Sequence, residues 1–183
     1  MILWIVLGVV GVLAIYLVAT YNGFISLRNT VEEAFSTMDV YLKKRYDLIP
    51  NLVETVKGYA KHEASTLENV INARNNAMSA QTMEDSLAAQ GELQKTLGRL
   101  FALAENYPDL KANTNFMDLQ NQLSVIEGEI ANSRTYYNGT VKTFNIKVES
   151  FPSNIVASIF KFTRKPLYEV DDVEERKNVK VEF

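Results

Sequence analysis

The first nineteen residues, MILWIVLGVVGVLAIYLVA, carry no charged side chain, and the first one anywhere in the chain is Arg28. As a helix, the apolar run at positions 2–19 spans roughly 27 Å, close to the roughly 30 Å hydrocarbon core of a bilayer. Only a helix satisfies its own backbone polar groups while crossing lipid in one pass, so this run reads as a transmembrane helix. Trp4 stands near one end and Tyr16 and Tyr21 near the other. Amphipathic aromatics favour the headgroup level at both ends of a span. The competing reading is a cleaved secretory signal, which has a basic n-region, a shorter apolar core and small residues at a cleavage site. This chain has no Lys or Arg ahead of the run, and Leu17 with Ala19 is a poor cleavage pair. Basic side chains hold their flank in the cytoplasm. Here they lie only downstream, at Arg28, Lys43, Lys44 and Arg45, so a single-pass anchor with a cytoplasmic body is expected.

Most of the 183 residues remain outside that span, enough for one domain with its own core. The net charge of −3 gives no basic field for nucleic acid. The absence of cysteine removes disulfides, thiolate catalysis and every Cys-based metal site. With only eight Gly and four Pro, the chain has few breakers, and long helices are expected.

Helical periodicity dominates residues 27–148. The first stripe is Leu27, Val31, Ala34, Phe35, Met38, Tyr41 and Leu42, which predicts one nearly continuous helix from the membrane to about Tyr46. Asp47 is a good cap and Pro50 is tolerated in a first turn, so a second helix is expected from there to about Met78. Thr82 with Asp85 has the spacing of a capping box and opens a third helix, which Tyr107-Pro108-Asp109 stops. A fourth starts near Asn113 and ends before Phe151-Pro152. Short connections make successive helices antiparallel. The expected fold is therefore all-α, an N-terminal transmembrane helix running into an up-down antiparallel four-helix bundle. Residues 1–20 form the anchor and 21–150 the bundle. Residues 151–183 form a short amphipathic helix, over 153–165, and a charged tail whose densest run is 169–177. Lys161, Arg164 and Lys165 on that short helix are candidates for contact with anionic lipid. The rival reading is a helix that closes the bundle's end.

Several charges fall in phase with core stripes: Arg45 with Met38, Glu63 and Arg74 with Val56 and Leu67, and Glu127 and Arg134 with Leu123 and Val141. A charge held in a core must be paired. Arg45, Glu105 and Arg74 are expected in structural ion pairs, with Arg45 meeting Glu105 at the membrane-distal end. Glu63, Glu127 and Arg134 are the candidates for a polar ligand site, Arg134 being satisfied by one of the two carboxylates. No phosphate loop, dinucleotide fingerprint, nucleophile elbow or zinc-protease motif is present in the sequence. The one histidine, His62, points away from its stripe, and no Glu-x-x-His pair accompanies it, so no metal, cofactor or catalytic residue is assigned.

The stretch DVYLKKRYDLIPNLVETVKGYAKHE at residues 39–63, with RYDLIPNLV as its most distinctive piece, resembles the LemA family. So do Tyr21-Asn22, LFALAENYPDLKAN at 100–113, residues 119–138, and Phe144-Asn145 followed by Phe151-Pro152-Ser153. The resemblance covers nearly the whole chain. It implies a bacterial cell-membrane protein and no known reaction, in the company of other envelope proteins such as a membrane zinc protease of the heat-shock type. The expected role is a non-enzymatic interaction or scaffold module whose partners are the lipid bilayer and unidentified membrane or envelope proteins. Self-association is left open. The alternative is a small-ligand sensor or cryptic enzyme built on the Glu/Arg group.

Overall fold

The computed structural model describes residues 1–168, and six helices lie among them. They are α1 (Ile2–Tyr59), α2 (Ala64–Ser79), α3 (Met83–Ala104), the single turn α4 (Pro108–Lys111), α5 (Thr114–Glu149) and α6 (Ser153–Ile159). The charged run at 169–177 lies outside the described residues. The chain forms two compact units, one of Met1–Leu42 with Glu127–Leu167, the other of Lys43–Ile126 together with Tyr168. The long helices α1 and α5 each contribute to both.

The first reversal comes later than the sequence predicts. α1 runs through Asp47 and Pro50 to Tyr59, and the chain turns at residues 60–63. Proline inside a helix removes one hydrogen bond, here the one that would end on the carbonyl of Tyr46. A side chain from α2 replaces it. The turn itself is invisible to periodicity because the buried positions Val56, Ala60, Leu67 and Val70 are spaced by four, seven and three residues, which keeps the helical phase across it. Glu63 closes the turn through its backbone, donating to the Ala60 carbonyl at 3.1 Å.

In the second unit the reversals build a four-helix arrangement from the distal part of α1, α2, α3 and the start of α5. Tyr46 on α1 is met by Arg74 and Ala77 on α2, which is the pairing of an antiparallel hairpin. Thr82 caps α3 as its spacing predicts, accepting from the Asp85 N–H at 3.0 Å. Asn113 caps α5 by accepting from the Phe116 N–H at 3.0 Å. Phe101 and Phe116 meet edge to face across that reversal, with ring centroids 6.3 Å apart. Val56, Leu93, Leu100 and Leu110 are among the fully enclosed core residues.

In the first unit α1 and α5 pair in opposite directions, with Phe24 against Phe144 and Phe35 against Tyr137. Residues 1–19 are all exposed, and Thr20 is the first buried position. The helix is therefore long and apolar enough to cross a membrane, with a mean hydropathy of 2.8 over its most apolar window. Beyond α5, Ser153 bonds the carbonyls of Lys147 and Ser150 and α6 begins.

The amphipathic helix expected over 153–165 stops at Ile159. The Phe162 N–H reaches back to the Ala157 carbonyl at 2.9 Å and the Lys161 N–H to Ser158 at 3.4 Å, a Schellman stop. Lys161 takes the left-handed position, with φ 58°. The chain then turns back over α1 and α5. Phe162 stacks on Phe24 at 4.7 Å, and the Asn145 side chain clasps residue 165, donating to its carbonyl and accepting from its N–H at 2.9 Å each. Such a two-point clasp fixes a backbone that would otherwise leave buried polar groups unmet. Tyr137 donates to the Pro166 carbonyl at 3.1 Å.

This last bond has a pH signature. Burial raises the Tyr137 phenol above its ordinary value near 10. Burial and then the Glu63 carboxylate raise Tyr107 likewise. In the unfolded chain both phenols titrate first, so above about pH 10 the native state holds more protons and stability falls as pH rises. Urea unfolding at stepwise pH should show that decline, and Tyr137→Phe should flatten it. An unchanged slope in the variant would contradict this role for the phenol.

Candidate functional site

The densest buried polar group lies in the second unit, where Arg45 and Tyr46 are enclosed against α2 and α3. Arg45 is only 3% exposed and Gln90 4%. Arg45 donates to the Gln90 amide oxygen at 3.3 Å and to the Gln94 amide oxygen at 2.7 Å. The Gln90 nitrogen donates in turn to the Tyr46 hydroxyl, and that hydroxyl donates to the Ala77 carbonyl at 3.4 Å. The order of donors fixes which way the Gln90 amide faces, because its oxygen must meet the guanidinium.

Beside this relay, Arg74 Nε donates to the Tyr46 carbonyl at 2.7 Å. That carbonyl is the one Pro50 leaves without a helical donor. A guanidinium from α2 thus completes the backbone of α1, and a charge-assisted bond replaces an ordinary one. The network ties α1 to α2 and α3 at one level and sets their register.

The expected ion pairs differ from what the structure places. Arg45 is held by Gln90 and Gln94, and Glu105 pairs with Lys111 across the end of α3. Arg45 stands well before the α1–α2 turn once α1 continues past Pro50, whereas Glu105 follows the end of α3, so the two do not share a level. Arg74 meets a carbonyl and the Asn75 side-chain oxygen in place of a carboxylate. The sequence reading does not single out Gln90 or Gln94. Gln90 stands in register with Leu93, Leu97 and Leu100, so a polar residue on that apolar stripe was the available signal.

Of the residues expected to form a ligand site, Glu63 lies in the second unit at the turn before α2, and accepts a hydrogen bond from the Tyr107 hydroxyl at 3.2 Å. Glu127 and Arg134 both lie on the part of α5 that belongs to the first unit, and both are half-buried. An open cleft of about 500 Å³ between α2 and α3 is lined by small and polar residues, among them Ala73, Ala88, Asn76 and Asp85. None of the three residues lines it.

Of the three expected lipid contacts, Arg164 pairs with Glu149 at 3.1 Å and Lys165 with Glu32 at 3.8 Å. Lys161 is exposed.

The LemA family model matches residues 34–183. The chain belongs to the LemA family. The matched stretch contains the whole Arg45, Tyr46, Pro50, Arg74 and Gln90 network, and begins after the apolar run. Among curated relatives, magnetosome protein MamQ 2 of Paramagnetospirillum magneticum is 26% identical over 190 aligned residues, covering 90% of this chain and 70% of the relative. Magnetosome protein MamQ of Magnetospirillum gryphiswaldense is 24% identical, covering 81% of this chain and 64% of its own length. Protein LemA of Metamycoplasma hominis is 24% identical, covering 90% and 76%. The LemA-family likeness therefore reaches both the LemA and the MamQ proteins.

Proposed function

We propose that this LemA-family chain is a single-pass, membrane-anchored helical module that docks other membrane or envelope proteins and catalyses no reaction. The observation that carries the reading is the exposed apolar stretch at 2–19, which runs without a break into α1 of the folded body. An exposed run of that length in water would be a standing aggregation hazard, and in lipid it is at its lowest free energy. Arg45, Tyr46 and Gln90 of the second unit are engaged in holding helices together, as a structural module requires. The relatives' names refer to a magnetosome or to the family, and to no reaction.

The body faces the cytoplasm in this reading, because Arg28, Lys43 and Lys44 follow the span on its C-terminal side. A photo-crosslinking residue at exposed Val40 or Tyr136, activated in intact cells, should yield discrete adducts with other membrane proteins. Adducts with lipid alone would oppose the docking role. A periplasm-specific reporter fused after Phe183 should be silent, and its activity would overturn the orientation.

A further inference from the structure

The first unit carries an apolar stripe that its own fold leaves uncovered. Phe151 is 81% exposed, Ile155 52%, Ile159 59% and Phe160 42%. Ile155 and Ile159 lie four apart on α6 and share its outward face, Val156 and Ala157 point inward and are buried, and Phe151 is exposed just before the helix.

The position of this stripe along α1 identifies what covers it. Residues 1–19 of α1 are exposed, Thr20 is the first buried position, and the Tyr21 ring lies 4.7 Å from the ring of Phe160. Tyr21 is only about 3 Å along the helix from Ala19. The stripe therefore begins where the apolar run of α1 ends. A bilayer that takes up residues 2–19 meets α6 at its headgroup level, where a short amphipathic helix buries its apolar face shallowly.

We infer that Phe151, Ile155, Ile159 and Phe160 insert into the lipid interface and form a second, shallow contact beside the span. The occupant is lipid, and the contact is apolar in kind. Arg164 and Lys165 are already paired with Glu149 and Glu32, which leaves exposed Lys161 as the basic residue beside the stripe, so attraction to anionic headgroups is the smaller part. The sequence expectation had the Ile, Val and Phe residues of 153–165 burying shallowly with Lys161, Arg164 and Lys165 facing anionic lipid; the structure shifts the weight to the apolar face.

The inference rests on the membrane-anchor reading, and the two are separable by experiment. The chain has no cysteine, so single substitutions accept an environment-sensitive fluorophore cleanly. The full chain is reconstituted in phosphatidylcholine vesicles with the probe at Ile155→Cys, Ile159→Cys, Val10→Cys or Val40→Cys. Val40 is exposed and stands about 30 Å further along α1 than Ala19, so it reports water. Probes at 155 and 159 should emit to the blue of the probe at 40 and lose intensity when the lipids carry a spin label high on the acyl chain, and high salt should leave both effects in place. If the probe at 10 is quenched while those at 155 and 159 behave like the one at 40, the anchor stands and this inference fails. If none is quenched, both fail. A blue shift at 155 and 159 that grows with protein density and is insensitive to the spin-labelled lipid would assign the stripe to a second copy of the chain and overturn the lipid contact.

Discussion

Phe24→Ala should destabilise the unit of Met1–Leu42 and Glu127–Leu167 by about 3–5 kcal/mol, the usual range for emptying a buried phenylalanine site. Phe24 is fully enclosed. Its ring stacks on Phe162 at 4.7 Å with an 18° interplanar angle and meets Phe144 edge-on at 6.0 Å, and the Lys147 ammonium lies 5.1 Å from its centroid. Three segments of chain, from α1, α5 and the strap after α6, converge on one side chain. Removing it opens a cavity that none of the three can fill without moving the others. The strap should respond first, because it loses the stacked contact of Phe162. It is then held mainly by the Asn145 clasp, the Tyr137 bond, ring contacts of Phe162 with Tyr21 and Phe144, and the surface Arg164–Glu149 and Lys165–Glu32 pairs. Limited proteolysis within 160–168 should accelerate in the variant, and a denaturant midpoint equal to wild type would contradict this packing.

Arg74→Met should cost about 1.5–3 kcal/mol in the native sequence, the range for a hydrogen bond with a charged partner, and far less when Pro50 is also replaced by alanine. The reason is local. Pro50 supplies no N–H to the Tyr46 carbonyl, and Arg74 does so in its place at 2.7 Å. With alanine in place of Pro50 the helix supplies its own donor. Pro50→Ala alone should raise stability, because proline inside a helix costs about 3 kcal/mol relative to alanine. The two substitutions touch one carbonyl, so their effects should couple by about 1 kcal/mol or more. Urea titration of the four members of the cycle reads this directly, and strict additivity would mean that Arg74 acts elsewhere.

Much of the architecture was legible in the sequence, for physical reasons that differ between elements. The apolar run at 2–19 was read from length and absence of charge, which a bilayer-spanning helix demands. Thr82 and Asn113 announced helix starts because their short polar side chains satisfy free N–H groups. The α1–α2 turn was not legible. A four-residue turn returns the apolar phase, and Pro50 looked like a helix start because its missing donor is harmless only there, unless a distant side chain intervenes. Arg74 does intervene, and no local pattern encodes that. The same limit applied to Arg45. Its burial was readable from its phase, but the amides of Gln90 and Gln94 that it meets on α3 were not, and the later turn moved it away from the level of Glu105. The end of α6 was missed because the left-handed stop falls on a lysine where glycine is usual.

The central claim is that residues 2–19 remain on the chain and hold it in a membrane. Membranes from cells producing the full chain are washed with sodium carbonate at high pH, and the retained protein is sequenced from its N-terminus. The protein should stay in the pellet and begin at or next to Met1, and a form lacking residues 2–18 should be released by the same wash. An intact chain found in the supernatant, or an N-terminus beginning after Ala19, would contradict the account.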